Sequence, residues 1–231
     1  MSKTVVLCHG RHVETMGWET LVWGEEDRIG TAPLALHLAM EKGAQLVFGT
    51  GASEKDGLKE CAFTRKFLQG RVSRLKEFHE FEDYCGIDSF EMYEMFGQRM
   101  LDIAHLDFES TDTVTEVKNA VAYAKSLGAT ELIQVTSPFH AARCMSISAR
   151  LLEDGYDFGG VVPMVVSAKS STSTCQAATT VILEHPHRGD DPMVASPVMP
   201  HQVFSRMFRL PPPARMQFFA DASDRLKELG V

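Results

Sequence analysis

Residues 132–143, LIQVTSPFHAAR, decide the reading of the whole chain. Leu132, Ile133 and Val135 make a short apolar run that suits a buried strand. The run stops at Thr136, Ser137 and Pro138, and the spacing predicts a helix over about 141–152, with Ser137 or Pro138 near its start. A strand that ends in hydroxyls and opens onto a helix N-terminus is a natural anion site. Free backbone N–H groups and the helix dipole both face the ligand there. His140 and Arg143 lie at that mouth, and their spacing of three puts them on one helical face.

Outward from this stretch, other apolar runs alternate with helical patterns. Residues 4–8 and 45–48 read as buried strands, 106–108 as a short one, and 158–166 and 179–183 as later ones. Helices are predicted over 29–42, stopped by Gly43, over 58–68, and up to Leu127, stopped by Gly128. Thr113 with Glu116 fits a capping box at the start of that third helix. Residues 18–27 read as irregular. Residues 71–105, rich in acids, Phe and Met, read as a helical insertion beside the core, with Phe90, Tyr93 and Phe96 on one amphipathic face. The alternation implies an α/β fold: a Rossmann-like parallel sheet flanked by helices, joined by right-handed crossovers. This domain is expected over 1–185. Residues 186–231 are expected to add a Pro-rich loop and a closing helix, over about 213–229, packed on the same domain.

With 231 residues the chain can bury a full core. Its formal net charge of −8 argues against nucleic acid or an anionic membrane as the main partner. A small-molecule substrate is the expected partner, and a homo-oligomer stays open. Cys8, Cys61, Cys85, Cys144 and Cys175 are scattered with no C-x-x-C pair, which points to a reduced compartment. The N-terminal apolar run is too short for a signal peptide, and no run approaches the ~18 residues that span a membrane. A cytoplasmic location follows as the expectation.

Ligands of open parallel sheets sit outside the carboxyl ends of the strands. The expected site is therefore four loops, at residues 9–12, 49–53, 110–113 and 136–143. Arg143 is read as a bidentate grip on a carboxylate or phosphate, and His140 as an acid, base or donor. The competing reading is a helix-start pair that satisfies local backbone. His9, Arg11 and His12 read as an anion-binding or substrate-polarising loop, or as an ordinary polar loop. One H-x-x-H without a further ligand nearby does not make a metal site, so metal independence is expected. Gly49-Thr50-Gly51 lets a backbone come close to a ligand. Glu60 holds a ribose hydroxyl or is a solvated acid, and Asp112 and Thr113 cap, line the site, or both. Ser137 and Cys8 stand at strand ends. A triad of Ser137, His140 and Asp112 is conceivable, although no G-x-S-x-G elbow is present. Residues 185–190, with His185, His187, Arg188 and Asp190, either fold back over the strand ends or form a surface loop.

These loops resemble those of the family typified by the bacterial YdcF, SanA and ElyC proteins. Its V-T-S-x-[YF]-H-x-x-R strand end is complete here from Val135 to Arg143. Its S-x-[ND]-T helix start matches Ser110-Thr111-Asp112-Thr113, although Thr115-Glu116 stands where the family has Glu-Asn. Arg28 with Ala32, Gly49-Thr50-Gly51 and Glu60 also fit, whereas Cys8-His9-Gly10-Arg11-His12 replaces a simple Gly-rich turn. The resemblance spans roughly residues 4–166 without the insertion. It implies a cytoplasmic protein that binds S-adenosylmethionine or a related nucleoside. Gly10, Gly49, Thr50, Gly51, Glu60, Asp112 and Thr113 would contact the cofactor. Arg143, Arg11, His12, Thr136 and Ser137 would bind substrate, and His140 and His9 would be catalytic. The expected reaction is group transfer from the bound cofactor, or its cleavage, with a small anionic substrate. The usual methyltransferase glycine motif after the first strand is absent. The alternatives are a phosphatase- or esterase-type hydrolase of an anionic substrate and a binding module without turnover.

Overall fold

The apolar runs become neighbours in one sheet. The computed structural model describes residues 3–14, 17–25, 28–84 and 87–169. In chain order the elements are β1 (Thr4–Cys8), α1 (Trp18–Val22), β2 (Gly24–Glu25), β3 (Arg28–Ile29), α2 (Thr31–Lys42), β4 (Gln45–Phe48), β5 (Glu54–Lys55), β6 (Leu58–Lys59) and α3 (Glu60–Gln69). Two 3-10 turns, Val72–Glu77 and His79–Tyr84, lead into α4 (Ile87–Ile103) and β7 (His105–Leu106). Then come α5 (Thr113–Ser126), β8 (Glu131–Thr136), α6 (Pro138–Glu153) and β9 (Val162–Ser167).

Five strands form the central sheet in the order β7-β4-β1-β8-β9, and every neighbouring pair is parallel. Val6 lies between Leu46 and Ile133 in register. All five residues of β1 are buried, as expected of a strand covered on both faces. Helices α2, α3 and α4 pack together on β1 and β4, while α5 and α6 pack together beside β1, β8 and β9. The fold is therefore the Rossmann-like α/β arrangement. The chain first builds outward from β1 through β4 to β7, then returns to the other side of β1 for β8 and β9. The carboxyl ends of β1 and β8 thus flank the switch point, where a crevice opens in folds of this kind.

The insertion is helical, but it does not stand beside the core. Leu75, Phe78, Phe81, Tyr93 and Leu101 join the main buried cluster with Trp23, Leu36 and Phe48. Tyr93 turns inward, with its hydroxyl 3.2 Å from His37 Nδ1, while Phe96 of the same predicted face is exposed. Residues 18–22 are a helix where the sequence reads as irregular. The single turn is held by tertiary contacts: the Trp18 indole donates to the Arg11 carbonyl at 2.9 Å and meets Phe63 and Phe67 edge-on. The second predicted helix starts at Glu60 rather than residue 58, because Leu58 and Lys59 pair with Glu54 and Lys55 in a small hairpin.

Among the described residues no helix is long and apolar enough to cross a membrane. Cys8, Cys61 and Cys144 are buried free thiols. The strand expected over 179–183, the loop 185–190 and the helix over 213–229 lie outside the described residues.

Candidate functional site

His9 is the first residue beyond β1, and its backbone N–H continues the ladder to the Val135 carbonyl of β8 at 3.0 Å. That bond aims the ring under the loop rather than into solvent. His9 Nδ1 donates to Glu116 Oε2 at 2.5 Å, and the two side chains are 0% and 4% exposed. The other Glu116 oxygen accepts the Gly10 N–H at 2.8 Å. On the far side of the ring, His9 Nε2 lies 3.1 Å from Gln134 Oε1, and Gln134 Nε2 donates to Ser148 Oγ at 2.9 Å. Burial opposes a charge on this ring, yet the Cys144 sulfur and the Glu116 carboxylate beside it hold the His9 pKa well above the usual imidazole range. His9 is therefore engaged on both nitrogens by the protein and acts as a buried positioning group.

The glycines of the second loop admit protein. A Cβ on Gly49 would sit 1.8 Å from Glu116 Oε1, and one on Gly51 would sit 2.0 Å from the Phe108 carbonyl oxygen. The Gly51 N–H donates to the Ser110 carbonyl at 2.9 Å, and the Thr50 hydroxyl donates to the same oxygen. The sequence reading, in which these glycines open backbone to a ligand, thus has a different physical basis: they let three loops close on one another. Gly51→Val should consequently lower stability with no ligand present, by about 1–3 kcal/mol or more for overpacking against backbone. A thermal melt of the unliganded variant that matched wild type would show that the Phe108 contact yields freely.

Glu60, the first residue of α3, is fully buried and accepts the Ser53 hydroxyl, whose oxygen in turn accepts the Val13 N–H at 3.1 Å. It anchors the loop after β1 and is not a solvated acid. Asp112 caps α5 through a box with Thr115, its Oδ1 accepting the Thr115 N–H at 2.9 Å. The sequence pairs Thr113 with Glu116 for this purpose. Instead Glu116 falls on the buried face of α5 with Val117, Ala120 and Val121, which frees its carboxylate to reach His9.

The rim of the site comes from α6. Its N-cap is Ser137 and its first residue is Pro138, which has no N–H. The N–H groups of His140 and Ala141 both go to the Ser137 carbonyl, so most of the expected free donors at this helix start are already taken. Anion affinity must come from side chains instead. Arg11 donates through Nη2 to Ser137 Oγ at 2.6 Å, fixing a guanidinium over the end of β8. Thr136 and Ser137 are buried, and Arg143 is half-buried one turn further along α6. His140 is 8% exposed, with Nε2 3.4 Å from the Thr113 hydroxyl and its ring edge-on to His9 at 5.8 Å. His12 is half-buried, and its Nδ1 lies 3.4 Å from the Glu14 N–H.

The fold thus gathers His9, Gly10, Arg11, Thr113, Thr136, Ser137 and His140 around the switch point. It spends Gly49, Gly51, Glu60 and Asp112 on building the loops. A triad of Ser137, His140 and Asp112 is disfavoured, since Asp112 is committed to its cap and Ser137 to Arg11. Burial pushes the Cys8 thiol far up and that of Cys61 up to about 11, so neither is a ready nucleophile. Three contributors escape the sequence reading. Glu116 is the one acid on the apolar face of its helix, Gln134 is the one polar residue inside an apolar strand run, and Cys144 lies four residues after His140. Those irregularities are the signals that could have found them. Comparison with protein-family models, with curated proteins and with solved structures gave no match to this chain.

Proposed function

We propose that this protein is a cytoplasmic enzyme that binds S-adenosylmethionine or a related nucleoside at the carboxyl ends of β1 and β8. There it transfers a group from that ligand, or cleaves it, with a small anionic substrate. The observation that carries the proposal is the Arg11–Ser137 bond beside His140: a fixed guanidinium, hydroxyls and an imidazole stand together at the switch point of a parallel sheet. Arg143, three residues beyond His140, supplies a second cation to the same helix start. Ser110 offers a fully buried hydroxyl with no hydrogen-bond partner among the described residues, next to Thr50 and Gly51, which suits a ligand hydroxyl or ring nitrogen. The likeness of residues 135–143 to the YdcF-type strand end supports the nucleoside, and the buried free thiols fit a reducing compartment.

The test uses calorimetry with two ligands. S-adenosylmethionine carries a carboxylate, and methylthioadenosine lacks it. Arg143→Lys keeps the charge and loses the planar fork. It should weaken S-adenosylmethionine by about 1.5–3 kcal/mol, one to two powers of ten, and leave methylthioadenosine nearly unchanged. Equal losses for both ligands would mean that Arg143 holds the loop, and no binding of either would end the nucleoside reading. Cleavage of generic phosphoesters by a protein that binds neither would favour the hydrolase.

A further inference from the structure

Three metal-ligating side chains meet beneath the rim. His9, His140 and Cys144 each offer one ligand atom, these atoms all lie within 4.8 Å of one another, and all three residues are buried. We propose that they bind a zinc ion, with Gln134 Oε1 as a fourth and weaker ligand. The inference goes beyond the nucleoside reading and does not rest on it.

His140 and Cys144 are four residues apart on α6, the spacing that puts two ligands on one face of a helix. His9 enters from the end of β1, so the ligands are fixed by two regular elements. Glu116 holds Nδ1 of His9, so Nε2, now 3.1 Å from Gln134 Oε1, is the nitrogen that would bind the ion beside that oxygen. A carboxylate behind a metal-binding imidazole sets the ring's orientation and raises its basicity. Gln134 Oε1, 3.1 Å from that Nε2, is steadied by the bond from its amide nitrogen to Ser148. Zinc bonds of roughly 2.0–2.3 Å put neighbouring ligand atoms about 3.3–3.7 Å apart, so the set need contract by no more than about 1.1–1.5 Å, within reach of side-chain rotation.

The sequence points away from a metal because the only histidine close to His9 along the chain is His12. The structure instead brings His9 together with His140 and Cys144, 131 and 135 positions after it.

Cobalt(II) is the probe. The purified full chain, treated with a chelator and titrated with cobalt, should bind one equivalent. It should show a thiolate-to-cobalt charge-transfer band with the strong visible bands of a four-coordinate ion, and one equivalent of zinc should erase both. Cys144→Ser should lose the charge-transfer band. Glu116→Gln should keep it while weakening cobalt by about 10- to 100-fold. His12→Ala should bind cobalt with wild-type affinity and spectrum, since His12 is not among the ligands. Failure of wild type to bind one equivalent of cobalt, survival of the band in Cys144→Ser, or failure of zinc to displace cobalt would each overturn the site. Should Cys144→Ser not fold, X-ray absorption at the zinc edge of the loaded wild type decides: one sulfur among nitrogen and oxygen ligands is expected, and no sulfur refutes the proposal. A protein that takes up cobalt but no nucleoside keeps this inference and loses the previous one.

Discussion

Glu116→Ala should destabilise the protein by about 3–5 kcal/mol, the usual cost of removing one partner of a buried ion pair. Two effects add to the loss of the 2.5 Å contact with His9. The Gly10 N–H loses its acceptor, and the space between Glu116 and Gly49 is emptied. A typical domain has only about 5–15 kcal/mol in hand, so the variant should unfold at clearly lower denaturant. Glu116→Gln retains an acceptor and the shape, and should cost less than half as much. Urea unfolding of the three proteins at neutral pH decides. A Glu116→Ala unfolding free energy within about 1 kcal/mol of wild type would show that water enters and solvates His9. The pair would then not be the keystone between the loop after β1 and α5.

The pattern of what the sequence reveals follows from the range of the forces involved. The strands at 4–8, 45–48 and 131–136 are legible because a fully buried strand must be apolar along its length. The short helix at 18–22 is not, since its single turn depends on Arg11, Phe63 and Phe67, none of which is local. The strand-end motif at 136–140 is legible for the same reason as the strands, for its parts are contiguous. The partners of His9 lie 107 and 125 residues away, and no local pattern encodes such a meeting. Glu116 illustrates the ambiguity directly. At the start of a helix an acid suits a cap, the dipole or a buried partner, and only the packing of α5 against β1 selects the third. Gly49 and Gly51 show the converse: small residues beside strand ends signal close approach, but not what approaches.

His140→Gln should lower turnover by about 10²–10⁴-fold, the range expected for loss of a group acting at the reacting atoms. His140 is the one imidazole in this cluster that reaches the rim, since His9 is closed off by Glu116, Gln134 and the loop above it. Glutamine fills similar volume and can still bond to the Thr113 hydroxyl, 3.4 Å from Nε2 in the wild type. It cannot carry a proton near neutral pH, so the variant separates proton transfer from packing. Affinity for the nucleoside should change by no more than about threefold, because Arg11, Ser137 and Arg143 are untouched. Release of methylthioadenosine or adenosylhomocysteine measures turnover, and calorimetry measures binding. Restoration of part of the lost rate by added imidazole would place the missing group at the reacting atoms. If binding and melting temperature instead fall in step with turnover, His140 supports the start of α6 and the reacting group is elsewhere.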